Sequence, residues 1–204
     1  MFKHLQSATR YWVLSVVFVF AFIPELKAQP GLQKFDDGVM IGLMNSRTPE
    51  QTDFLRFVTN TNTYVNAGVP LFLFVDGVAS NNKQMRENSA YIASSTAISF
   101  GVTQLIKLLV KRPRPFISNI NIVPVYRAQG FSFPSGHASS SFSTATALSI
   151  AYPKWYVIGP AFLWAGTISY SRMYLGEHYP TDVAAGAFLG ASSAYSMKFV
   201  FNPR

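Results

Sequence analysis

YIASSTAISFGVTQLIKLLV, residues 91–110, followed by KRPRP at 111–115, decides how the rest of the chain is read. The apolar positions recur with a helical rather than an alternating period, and Pro113 and Pro115 end whatever helix precedes them. At about 20 residues this helix matches a hydrocarbon layer of ~30 Å. Its Ser, Thr and Gly residues are the small polar types that closely packed membrane helices use at their contacts. Four more apolar segments of helical period lie at 64–79, 137–152, 155–170 and 183–200. With an N-terminal apolar run, they predict an all-α fold. We expect a helical bundle of about six main helices, integral to a membrane, with short amphipathic helices after the first segment.

That first segment reads as an export or anchoring signal. Lys3, His4 and Arg10 precede an apolar run at 11–23, and Leu26-Lys27-Ala28 is a passable processing site. Residues 1–28 are therefore a signal peptide or N-terminal membrane anchor, and 29–204 form one functional domain. Between 29 and 63, Pro30, Gly31 and Asp36-Asp37-Gly38 signal turns. Thr48-Pro49-Glu50 resembles a helix start ahead of the stripe Phe54, Leu55, Phe57 and Val58. These residues are expected to pack, without taking part in chemistry.

The 204 residues are 49% hydrophobic and 13% charged, against roughly 25% charged in an average soluble domain. The deficit points to a membrane. The absence of cysteine excludes thiol chemistry, disulfides and Cys-based metal sites. The formal charge of +8 suggests an anionic partner, which composition leaves open as a phosphate substrate, acidic headgroups or nucleic acid. Charge placement adds direction. If every segment crosses from an inner N-terminus, Lys83, Arg86, Lys154, Lys198 and Arg204 lie inside, as the positive-inside rule prefers. Lys107, Lys111, Arg112, Arg114, Arg127 and Arg172 then lie outside, where binding an anion explains them.

Three clusters carry candidate chemistry. Lys107-x6-Arg114-Pro115 closes the 91–110 helix, and about two turns separate the cations, so a continuing helix would put them on one face. Taken alone, such a basic end serves the helix macrodipole equally well. Pro134-Ser135-Gly136-His137 opens the next helix and offers backbone N–H groups to an anion, or simply an N-cap. Ser171-Arg172-x5-His178-x3-Asp182 spaces a histidine and a carboxylate to meet on one helical face, as a nucleophile and its orienter or as a surface pair.

In this order the three clusters resemble the three-part motif of the type 2 phosphatidic acid phosphatase superfamily, over about 91–200. The resemblance implies that Lys107, Arg114, Ser135, the Gly136 backbone and Arg172 bind phosphoryl oxygens. It further implies that His178 attacks phosphorus, Asp182 orients it and His137 protonates the leaving oxygen, with no metal and no cofactor. The implied function is hydrolysis of a phosphomonoester or pyrophosphate on a membrane lipid through a phosphohistidine. Candidate substrates are phosphatidic acid, phosphatidylglycerol phosphate, undecaprenyl pyrophosphate and lipid A phosphates. A membrane is then the partner rather than nucleic acid, the oligomeric state stays open, and the site faces the periplasm from an inner membrane. A soluble periplasmic acid phosphatase, a vanadium-dependent haloperoxidase and a non-catalytic phospholipid-binding membrane protein are alternatives that share these residues. Lys111 and Arg112 are expected to face solvent or headgroups by default, and the loop 116–133, with Tyr126 and Arg127, is expected to cover the site.

Overall fold

The computed structural model describes residues 30–201 and Pro203; the signal or anchor expected at 1–28 lies outside them. Every regular element among the described residues is a helix. These are α1 (Pro30–Asn45), α2 (Pro49–Ala79), α3 (Lys83–Val110), α4 (Pro115–Ser118), α5 (Gly136–Ala151), α6 (Trp155–Tyr174) and α7 (Pro180–Phe201).

Local sequence sets most of the ends. Thr48 caps α2 by accepting from the Gln51 N–H, and Pro49 follows at the first helical position. Asn82 caps α3 by accepting from the Met85 N–H. At its other end Lys111 turns left-handed, with φ 51°, and Pro113 prevents continuation. One expectation is corrected here. Of the short amphipathic helices expected before residue 64, only α1 is separate; α2 is a single helix of 31 residues. Nothing near residue 63 breaks a helix, and the polar Asn62 and Asn66 bond to α5 instead of interrupting their own backbone. Pro70 lies within α2, where the Ser89 hydroxyl donates to its carbonyl at 2.6 Å.

α5 lies at the centre, packed on α7, α6 and α3. Its buried face, Ala138 to Ala147, consists almost wholly of Ala, Ser and Thr. Such small side chains let backbones approach closely and bond across the interface. Thr103 donates to Ser139 at 2.8 Å, Thr96 and Thr144 pair at 2.8 Å, and the Tyr91 hydroxyl donates to the Ala194 carbonyl at 2.9 Å. Gly186 of α7 meets α5 so closely that a Cβ there would stand 2.5 Å from the Ser135 carbonyl oxygen.

Outside the bundle the pattern inverts. Phe72, Leu105, Leu108, Leu109, Trp155 and Leu163 are all exposed, an apolar surface far too continuous for water and suited to lipid. The stretch Lys83–Ser118 has the length and composition to cross a membrane. Because α2, α3, α5, α6 and α7 run up and down, the C-termini of α3 and α6 meet the N-termini of α5 and α7 at one end. All three motif clusters lie at that end.

Candidate active site

The cations arrive from three directions. Lys107, in the last turn of α3, donates to the carbonyls of Phe131 at 2.5 Å and Ser132 at 3.4 Å. Arg114 arrives by a different route from the one its spacing suggests: α3 stops at Val110, and Arg114 stands beyond it, at the start of α4. Its Nε and Nη2 donate to the carbonyls of Gly130 at 3.1 Å and Gln129 at 2.8 Å. Its Nη1 reaches the Glu177 carboxylate at 2.9 Å. Arg172, buried in the last turn of α6, donates to Thr59 at 3.2 Å and to the Tyr126 hydroxyl, with Nη2 3.8 Å from Glu177. The loop 116–133 thus walls the site, as expected, and its carbonyls aim two of the cations.

The second cluster bonds directly to the third, since the Ser135 N–H donates to the Asp182 carbonyl at 3.0 Å. Ser135 is completely buried, yet its hydroxyl caps nothing and has no protein partner, which disposes of the ordinary N-cap reading. Arg172 Nε is likewise buried without a partner. The first N–H groups of α5 have no intrahelical acceptor, so Gly136 and His137 add backbone donors to these two. A buried donor without an acceptor is costly. Two such donors and a helix N-terminus are groups that an oxyanion would satisfy.

His178 sits before α7 rather than within it, because the helix starts at Pro180. The expected meeting of His178 and Asp182 on one helical face is therefore corrected. His178 Nδ1 and Asp182 Oδ2 are 3.8 Å apart, too far for a hydrogen bond. Ser132 bridges them: its hydroxyl donates to Asp182 Oδ2 at 2.5 Å and lies 3.4 Å from His178 Nδ1. A proton on Nδ1 then points at Ser132, and the Nε2 lone pair, 3.5 Å from Arg114 Nη1, faces the cations. Burial, joined by Lys107, Arg114 and Arg172 and opposed by the contact with Asp182, lowers the His178 pKa to about 3. Its imidazole is therefore neutral at ordinary pH. The turn before it needs Gly176 at φ +87°, where a Cβ would collide with Pro124 at 2.8 Å.

His137 stands in the field of the same three cations. It also lines a cleft of about 700 Å³ between α2, α3 and α5. Gly136, Ser140, Asn62 and Asn66 border the cleft near His137, and Leu71, Phe74 and Phe100 line its outer part. Among the described residues no group of three His, Asp or Glu side chains gathers closely enough to hold a metal ion.

Several site residues escape the sequence reading. Glu177 is fully buried between Arg114 and Arg172. Burial pushes its carboxyl pKa up, while the two guanidiniums and the Ala128 N–H hold it back. Arg112 corrects the expectation of a solvent-facing or headgroup-facing charge. It is mostly buried and ion-paired at 2.8 Å with both Asp36 and Asp182. The available signal was scarcity: with only nine acidic residues in the chain, an acid next to His178 and another in a polar turn of α1 stand out.

Known proteins resemble this chain in sequence and in fold. The family model of the PAP2 superfamily matches residues 88–204, more than half of the chain. A lipid A 4'-phosphatase of Bacteroides thetaiotaomicron is 32% identical over 142 residues, covering 65% of this chain and 63% of that one. An undecaprenyl-diphosphatase of Sulfolobus acidocaldarius is 34% identical over 115 residues, covering 53% of each. The chain thus spans between half and two thirds of the length of these relatives. Among solved structures, a transmembrane PAP2-type phosphatidylglycerolphosphate phosphatase from Bacillus subtilis shares the fold, with a TM-score of 0.74, 19% identity and 94% of both chains covered. Aquifex aeolicus LpxE aligns with a TM-score of 0.64 and 26% identity, over 80% of this chain and 95% of that one.

Proposed function

The chain belongs to the PAP2 superfamily, and from that premise we propose that it is a metal-independent phosphatase of a membrane lipid phosphate, working through a phosphohistidine at His178. One observation carries the reading. Three cationic side chains and the partnerless donors Ser135 Oγ and Arg172 Nε converge beside a neutral His178 whose Nε2 faces Arg114.

The chemistry follows from the charges. A phosphoryl group in transfer spreads negative charge over its equatorial oxygens, and catalysis consists mainly of meeting that charge and aligning the nucleophile. Lys107, Arg114, Arg172, Ser135 and the Gly136 backbone meet it. His178 Nε2 attacks phosphorus in line, and the bond to the ester oxygen breaks as His137 gives that oxygen its proton. Positive charge develops on the His178 ring, and the Nδ1–H bond to Ser132, whose hydroxyl is held on the Asp182 carboxylate, stabilises it there. Water then attacks the phosphohistidine, with His137 taking its proton, and phosphate leaves. His178 begins neutral, and the anionic phosphoryl group, by offsetting the three cations around His137, lets that ring carry the proton it gives, so the pH–rate profile is bell-shaped.

The cleft supports a lipid substrate. It joins His137 to the apolar outer face between α2 and α3, so a phosphate on a hydrocarbon anchor reaches the cradle without leaving the bilayer. The relatives act, by their names, on lipid A, undecaprenyl diphosphate and phosphatidylglycerol phosphate. These share a phosphate or diphosphate held at the surface by long chains.

The decisive experiment measures phosphate release by purified protein in detergent from lipid A, undecaprenyl pyrophosphate, phosphatidylglycerol phosphate and phosphatidic acid, with EDTA present. Release from at least one lipid is expected, with loss in His178→Ala and inhibition by vanadate. Release from none, or undiminished turnover by His178→Ala, refutes the proposal.

A further inference from the structure

Arg112 and Asp36 form a buried charge relay outside the phosphate cradle. Asp36 is one of two fully buried residues of α1, a helix whose neighbouring Phe35 is exposed. Its Oδ2 accepts from Arg112 Nη2 at 2.8 Å and from the Thr181 hydroxyl at 2.6 Å, and its Oδ1 accepts from the Thr181 N–H at 3.2 Å. Arg112 Nη2 also donates to Gln33, one turn earlier on α1, at 3.0 Å. The other arm, Nη1, donates to Asp182 Oδ1 at 2.8 Å and to Thr181 at 2.7 Å. The guanidinium lies over the Tyr179 ring, 4.2 Å from its centroid, which fixes its plane.

A carboxylate taken wholly out of water costs several kcal/mol unless its partners offset it. Arg112 offsets two, and its planar fork suits the task as an ammonium would not. The consequence for Asp182 is geometric. One oxygen is held by Arg112, the other by Ser132 and the Tyr179 N–H, so the carboxylate plane is fixed from both sides.

We propose that Asp36 and Arg112 are positioning residues for the hydrolysis, and that α1, outside the region matched by the family model, orients the nucleophile through the chain Asp36–Arg112–Asp182–Ser132–His178. The inference rests on the proposed function. If Asp36 is neutralised, Arg112 loses its second anchor, Asp182 gains freedom, and His178 spends less time aligned. The phosphate cradle contains none of these residues, so binding is untouched.

The test compares Asp36→Asn with the full-length parent on an activated aryl phosphate, alone and combined with Asp182→Asn. Misplacing an aligned group costs up to about a hundredfold, and we expect kcat to fall about tenfold or more in Asp36→Asn. KM and the inhibition constant for inorganic phosphate should stay within about twofold, since uniform binding is unchanged. In the Asp182→Asn background the Asp36 substitution should have almost no further effect, because its route to His178 is already cut. Arg112→Lys should recover part of the activity that Arg112→Gln loses. Unchanged kcat in Asp36→Asn overturns the inference while leaving the phosphatase standing. So do independent, multiplying effects of the two Asp substitutions, or a phosphate affinity that falls in step with kcat. A parent that releases no phosphate from any substrate fails the function itself.

Discussion

Ser132 occupies the place that sequence spacing assigns to a direct contact. Its hydroxyl both accepts from His178 Nδ1 and donates to Asp182, so it determines which imidazole nitrogen keeps its lone pair. Ser132→Ala leaves Nδ1 facing Asp182 across 3.8 Å. A hydrogen bond to a charged group contributes roughly 1.5–3 kcal/mol, so kcat should fall about ten- to a hundredfold while KM holds; a raised KM with kcat unchanged would place Ser132 in binding instead. His178 yields a second expectation, about stability. Its pKa is about 3 in the folded protein and near 6.5 when unfolded, so below pH 6.5 the unfolded chain binds the extra proton. Stability therefore drops as pH falls from about 6.5 towards 3. Melting temperatures in detergent at pH 7 and pH 4.5 should differ less in His178→Gln than in the parent, and an identical acid loss in both would show that other groups dominate. The motif residues were legible because their types and order are distinctive. Ser132 and Glu177 were not, since a serine in a loop and an acid beside a histidine acquire meaning only when the loop folds over the helix ends.

At the scale of elements, the apolar segments from residue 64 onwards are readable from period and length, and each is part of a helix. Short helices are expected up to residue 63, yet α2 runs on through the polar stretch Thr59 to Thr63. In the bundle it is a helical face that turns Asn62 towards Ser140 and Thr59 towards Arg172. Tertiary partners, absent from any local window, made the helix continuous. The α5–α7 contact is the element on which the site most depends, since it carries Ser135 on one side and Asp182 on the other, joined through their backbones. Gly186→Ala would push the two helices apart at the Ser135 carbonyl, where a Cβ stands only 2.5 Å away. Overpacking of this kind costs typically about 1–3 kcal/mol. Thermal unfolding should register the loss, and activity should fall with it, because the same displacement separates Ser135 from Asp182. A variant as stable and active as the parent would mean the helices slide apart freely.

Over the whole molecule the charges are divided between two ends for different reasons. At the end away from the site, Lys83, Lys154 and Lys198 lie in the α2–α3 turn region, the α5–α6 turn and the last turn of α7. At the site end, Arg112, Arg114 and Arg172 are buried against Asp36, Asp182 and Glu177. Cations committed to buried carboxylates contribute little to topology, whereas exposed lysines in short turns govern it. The lysine turns should therefore face the cytoplasm and the active site the opposite side. The chain makes this easy to check, because it contains no cysteine. Ser118→Cys places a thiol on the exposed α4 at the site end, and Ser80→Cys places one in the exposed α2–α3 turn. In intact spheroplasts of an expressing bacterium, a membrane-impermeant maleimide should label the first at once and the second only after lysis. Immediate labelling at Ser80→Cys alone would reverse the orientation, and with it the leaflet towards which the cleft opens.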